Sequence, residues 1–144
     1  MKLEIRVPTT ADPSAVFAYL SDFTTTTEWD PGSVETTRES GHGGVGTVYR
    51  NRSTFAGRTS ELTYTVIERD EPRRIRLRGA NETVTAIDTI TVDASESPTV
   101  VHYEADFTFR GVAKLARPFL GRAFAKLRDD AERGLREALA RLEK

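Results

Sequence analysis

Asp88 is the side chain in this sequence whose position best suits proton chemistry. It stands in the run Val84, Ala86, Asp88, Ile90, Val92, where every second residue is otherwise aliphatic, so a strand would carry its carboxyl inward with them. A carboxyl held in such surroundings has a raised pKa and can act as a general acid or base, unless neighbouring groups simply satisfy it. The same alternation, propagated from strand to strand, turns Tyr49, Asn51, Ser53, Tyr64 and Tyr103 inward. Turn lengths predict Tyr49 opposite Tyr64, Tyr103 opposite Asp88, and Asp88 opposite Arg73. So many inward polar groups exceed what a solid core tolerates, because each costs about 1 to 3 kcal/mol if left unpaired. A cavity holding water or a ligand accommodates them. Within it the tyrosine hydroxyls could orient a carbonyl or a phenol, or serve only as hydrogen-bonded core groups.

Other reactive residue types point elsewhere. The chain has no cysteine, which removes thiol nucleophiles, disulfides and cysteine-ligated metals. His42 lies in a glycine-rich loop with no carboxylate or second histidine beside it, and His102 faces outward, so no metal site is expected. The glycines of residues 41–46 are not followed by the Gly-Lys-Ser/Thr of a phosphate loop, and no dinucleotide fingerprint follows the first strand. No cofactor is expected. Trp29, after the short helices, is placed either to cover a cavity or to pack.

These side chains must be positioned by a simple order of elements. Leu3, Ile5 and Val7 alternate with charged residues as a half-buried strand ending at Pro8. Asp12 followed by Pro13 is an N-cap and first-turn pair opening a short helix through Val16, Phe17 and Leu20. A weaker helical turn reaches Trp29 and stops at Asp30-Pro31-Gly32. From Val34 onward, amphipathic strands are joined by turns too short for anything but antiparallel hairpins. In the last strand Val101, Tyr103, Ala105, Phe107 and Phe109 form the inward set. Residues 112–144 have helical periodicity, through Leu115, Phe119, Ala123, Leu127, Ala131, Leu135 and Leu142, and Pro118 makes 112–117 a separate turn or kinked lead-in. The more apolar first half, with Phe119 and Phe124, is expected over the sheet.

At 144 residues the chain suits a single domain, 1–144, able to bury a substantial core. Its 21 basic and 22 acidic side chains give a net charge of -1 without like-charge runs, so nucleic acid is not an expected partner. No apolar run reaches membrane-spanning length; the expectation is a cytoplasmic protein that is not membrane-integral. Arg50, Arg52, Arg74, Arg76 and Arg78 point outward, with Arg52 opposite Glu61, a charged outer face that deters edge association. It could dock a protein, but nothing else in the sequence indicates one.

The order of elements resembles the START-like superfamily SRPBCC, and within it the polyketide cyclase/dehydrase and lipid-transport grouping. The likeness rests on Asp12-Pro13-Ser14-Ala15-Val16-Phe17 with Leu20 and Asp22, Glu28-Trp29-Asp30-Pro31, Gly44-Val45-Gly46, the stretch 62–72 around Tyr64-Thr65-Val66, the stretch 103–111, and the closing helix. It implies an α+β helix-grip fold: a seven-stranded antiparallel sheet around a long C-terminal helix, with two short helices after the first strand. It further implies a pocket for a hydrophobic small molecule such as a lipid, isoprenoid or polyketide. The residues expected to line it are Trp29, Tyr49, Asn51, Tyr64, Asp88, Tyr103, Phe107, Phe119 and Phe124. The alternative is a polyketide cyclase or dehydratase with Asp88 as its acid/base; no defined catalytic set maps onto this chain.

Overall fold

In the computed structural model, which describes residues 1–143, alternation and turn chemistry produce a seven-stranded antiparallel sheet. The strands are β1 (Lys2–Thr9), β2 (Ser33–Ser40), β3 (Val48–Phe55), β4 (Arg58–Asp70), β5 (Arg74–Ala80), β6 (Val84–Asp93) and β7 (Thr99–Phe109), in the spatial order β1-β7-β6-β5-β4-β3-β2. Every consecutive pair from β2 to β7 is a hairpin neighbour. The chain's first strand closes the far edge by pairing with its last, Ile5 opposite Tyr103 and Val7 opposite Val101.

Two short helices follow β1. The first, α1 (Pro13–Ser21), begins as its sequence dictates: Asp12 caps it by accepting from the Ala15 amide at 3.0 Å, and Pro13 occupies the first turn. Asp22 then caps a 3-10 turn, Phe23–Thr25, and α2 (Thr26–Trp29) completes the crossing to β2. The closing helix α3 (Gly121–Leu142) buries Phe124, Ala131, Leu135, Ala138 and Leu139 and packs against β1 and α2.

The helical pattern over 112–144 is in two pieces, as the lead-in expected before Pro118 implies. Residues Gly111–Phe119 form a 3-10 segment that contains Pro118, and α3 begins only at Gly121. Proline has no amide hydrogen to give to the ladder, so the α-helical bond pattern starts beyond it. Lys144 lies outside the described residues.

The inward faces are those the alternation assigned: Tyr49, Asn51, Leu62, Tyr64, Val66, Ile75, Leu77, Ala86, Asp88, Ile90, Val92, Val101, Tyr103 and Ala105 are all buried. Two of the cross-strand partners differ. Asp88 stands opposite Leu77 and Ala105, and Tyr103 opposite Ile90. Arg73 is not near Asp88; it lies in the β4–β5 turn, exposed and paired with Asp70. On the outer face Arg50 bonds Glu39 and Glu61, Arg52 reaches Glu35, and Arg74 and Arg76 flank Glu68. These half-exposed pairs contribute little stability each.

Candidate functional site

Between the sheet, α2 and the first half of α3 lies a cavity of about 290 Å³, many times the space that one water needs. Its wall is mainly apolar, built from Leu3, Leu62, Ala105, Phe107, Phe124 and Leu127 among others. Exposed residues at one end, Ala56, Arg58, Ser60 and Thr83, mark its mouth. The 3-10 segment borders it through Ala113 and Ala116.

Polar groups gather deeper in. Tyr103 on β7 reaches diagonally across to β6 and donates its hydroxyl to Asp88 Oδ2 at 2.9 Å. The other carboxyl oxygen, Asp88 Oδ1, is buried without a hydrogen-bond partner, as is Trp29 Nε1; among the described residues these are the two buried side-chain polar atoms so placed. Burial raises the Asp88 pKa to about 7, the Tyr103 hydrogen bond opposes the rise, and the Asp30 charge adds to it. Desolvation also pushes the Tyr64 and Tyr103 hydroxyls well above their ordinary values, with Asp88 reinforcing both. Both phenols therefore stay protonated and act as donors. The Trp29 indole meets the Tyr103 ring edge-on at 5.3 Å, so the two orphaned atoms belong to one neighbourhood.

A second polar group lines the wall near α2. Asp30, whose sequence context is that of turn punctuation, faces the cavity while accepting from the Gly32 amide at 3.1 Å and the Ser33 hydroxyl at 3.2 Å. Desolvation lifts its pKa, against those hydrogen bonds. Asn51 donates to Ser33 Oγ at 3.1 Å and Thr36 Oγ1 at 2.8 Å, and Thr36 shares a 2.7 Å hydrogen bond with Thr26. This network is internally satisfied, which fixes α2 to β2 and β3.

Of the residues expected to meet a ligand, Trp29, Asn51, Tyr64, Asp88, Tyr103, Phe107 and Phe124 line the cavity. Two do not. Tyr49 is fully buried beneath Phe23, 5.9 Å between ring centroids, and Phe23 rather than Tyr49 faces the void. Phe119 is 85% exposed, because the break at Pro118 rotates it away from the sheet; Leu120 takes the inward place. Phe55 and Phe109 were not foreseen as a group with Phe124, yet both stack on it edge-on, at 4.9 and 6.3 Å, beside Phe107 at 5.2 Å. Trp29 is not a flexible cover either: it is 1% exposed and part of the core.

Comparison with known proteins places this architecture. The model of the family described as Polyketide cyclase / dehydrase and lipid transport matches residues 1–144. The fold is similar to that of the Zhui aromatase/cyclase from Streptomyces sp. R1128, at 16% identity and TM-score 0.82, over 100% of this chain and 96% of that one. It is similar to a START superfamily protein from Mycobacterium smegmatis, at 12% identity and TM-score 0.77, over 98% of each chain. A third likeness is to ginseng major latex-like protein 151 from Panax ginseng, at 13% identity and TM-score 0.70, over 96% of each. No curated protein matches the sequence. At such identities these structures share the helix-grip fold with this chain, and the cavity side chains must be read on their own.

Proposed function

Since the chain belongs to the polyketide cyclase / dehydrase and lipid transport family, whose fold holds hydrophobic small molecules, we propose that it binds a largely apolar compound bearing one oxygen function at its inner end. The supporting observation is the pairing of an apolar wall with two unpartnered buried atoms, Asp88 Oδ1 and Trp29 Nε1. An indole nitrogen can only donate, and a carboxyl can donate when protonated. A ketone, phenol or carboxylic acid oxygen can accept from either donor, while phenyl and alkyl parts would lie along Phe107, Phe124 and Leu62. Lipids, isoprenoids and polyketides all contain such molecules.

Trp29 is the chain's one tryptophan and lines the cavity, so its fluorescence reports occupancy directly. Titration with fatty acids, isoprenoid ketones and aromatic polyketides is expected to shift or quench that emission saturably for at least one class, and not for the matching hydrocarbon. Emission indifferent to every oxygenated ligand would sink this reading.

A second reading is favoured by one observation, the Asp88 pKa of about 7, close to where an acid/base catalyst works best. Here the carboxyl would deliver a proton to a bound carbonyl oxygen, or take one from the adjacent carbon, in a cyclisation or dehydration. Asp88→Asn is then expected to abolish turnover of a polyketide substrate while the Trp29 signal still shows binding. Unchanged turnover in that variant would restrict Asp88 to a binding role.

A further inference from the structure

The segment Gly111–Phe119 is apolar on both sides. Ala113, Ala116 and then Leu120 line the cavity, while Val112, Leu115 and Phe119 stand 82%, 74% and 85% exposed, more than any other large hydrophobic side chain described. A surface helix ordinarily has one apolar stripe and a polar opposite face. Here the outer face, at the three- and four-residue spacing of one helical side, presents a ridge of bulky side chains to solvent.

Charge surrounds that ridge. From Arg110 to Arg128 the sequence has six basic residues and no acidic one, in a molecule whose net charge is -1. Arg110 is occupied by Thr85 and the Asn81 carbonyl, and Lys126 and Arg128 by Asp130 and Glu132. Among the described residues, Lys114, Arg117 and Arg122 form no ion pair and all three are exposed. Asp106 lies in the groove that Lys114 and Arg117 border, without an ion pair to either among the described residues.

We propose that this face docks on the surface of a bilayer containing anionic phospholipids, with Val112, Leu115 and Phe119 entering the acyl boundary and Lys114, Arg117 and Arg122 against the headgroups. A protruding ridge suits a deformable medium, which closes around it without a preformed groove. Long basic side chains extend from such a ridge to the phosphate level. A second copy of the chain would set those three cations against their own equivalents. If the cavity is a hydrophobic-ligand site, as proposed above, docking would bring the Ala113 and Ala116 edge of the cavity to the source of ligand; the docking itself does not depend on that reading.

Vesicle flotation tests it, comparing phosphatidylcholine vesicles with vesicles of equal parts phosphatidylcholine and phosphatidylserine. The wild-type chain is expected to float with the anionic vesicles, to stay behind with the neutral ones, and to be released by high salt. Leu115→Glu/Phe119→Glu and Lys114→Glu/Arg117→Glu should each lower the bound fraction by about tenfold or more. These exposed positions leave the fold intact, and retained ligand quenching of Trp29 in the variants would separate a docking defect from a cavity defect. Wild-type protein that remains unbound, or variants that float equally well, would overturn the proposal. A dimer that forms without vesicles and is lost in Phe119→Glu would also overturn it, by assigning the face to a second copy. So would capture of an acidic protein through the same residues without any vesicle binding.

Discussion

The carboxyl of Asp88 stays neutral in the folded chain up to about pH 7, against an ordinary value of 3.8 when unfolded. Between those values the unfolded chain has released a proton that the folded chain keeps, so rising pH favours unfolding. The contribution is fully present below the unfolded pKa, shrinks through the intervening window, and is gone above about pH 7. Its size is roughly 4 kcal/mol. Asp88→Asn keeps a similar shape but cannot ionise, and groups common to both chains largely cancel in the comparison. Urea unfolding at pH 4 and pH 8 should therefore show the variant gaining several kcal/mol over wild type between the two; parallel pH curves would mean that Asp88 ionises normally. Alternation alone could identify this residue, since Asp88 interrupts an aliphatic face. It could not identify Asp30, whose Pro31-Gly32 neighbours read as a turn and whose burial comes from distant elements. Nor could it separate Tyr64 from Tyr49, because a strand's period fixes which face a side chain takes but not whether that part of the face borders the void.

The approach of α3 to α2 rests on a missing side chain. A Cβ built on Gly134 would stand 2.0 Å from the Trp29 carbonyl oxygen and 3.3 Å from Pro31 Cδ, so the two backbones touch with nothing between them. In an unencumbered helix, Gly→Ala stabilises by about 1 kcal/mol. Here the sign should reverse: Gly134→Ala must displace α2, at a cost of about 1 to 3 kcal/mol, and shift Trp29 with it. Denaturant unfolding and Trp29 emission in the apo state measure the two effects, and a stabilised variant with native emission would show that this contact is not needed. At this scale the sequence was legible in its faces more than in its partners. The β3–β4 register follows from the Ala56-Gly57 turn, Tyr49 opposite Tyr64 as expected. Across β5–β6 and β6–β7 the pairing slides by an even number of residues from the expected one, placing Asp88 opposite Leu77 and Ala105. An even slide leaves inward residues inward, which is why the faces survived although the Arg73 pairing did not. The bulge between Val66 and Glu68 had no local signature, and Pro118 signalled a break without revealing that Phe119 would turn outward.

Across the molecule, the helix-grip arrangement follows from segregation of strand and helix patterns along the chain, but the volume left between sheet and helix does not, because it is the difference between two large packed surfaces. Ala105 tests that volume directly. It is 1% exposed, lies on the inner face of β7 opposite Asp88, and lines the cavity. In a filled interior, Ala105→Phe would overpack and cost about 1 to 3 kcal/mol. In a cavity of about 290 Å³ the added ring has space, and burying it contributes about 1.5 to 3 kcal/mol in the favourable direction. The ring would also stand beside Asp88, its cross-strand partner, and occupy the apolar floor that a ligand needs. The expected result is thus a variant at least as stable as wild type whose Trp29 no longer responds to ligand. Reduced stability with ligand binding intact would place the bound molecule elsewhere and the interior closer to solid. Stability gained together with binding lost can arise only where the same space serves both the added ring and the guest.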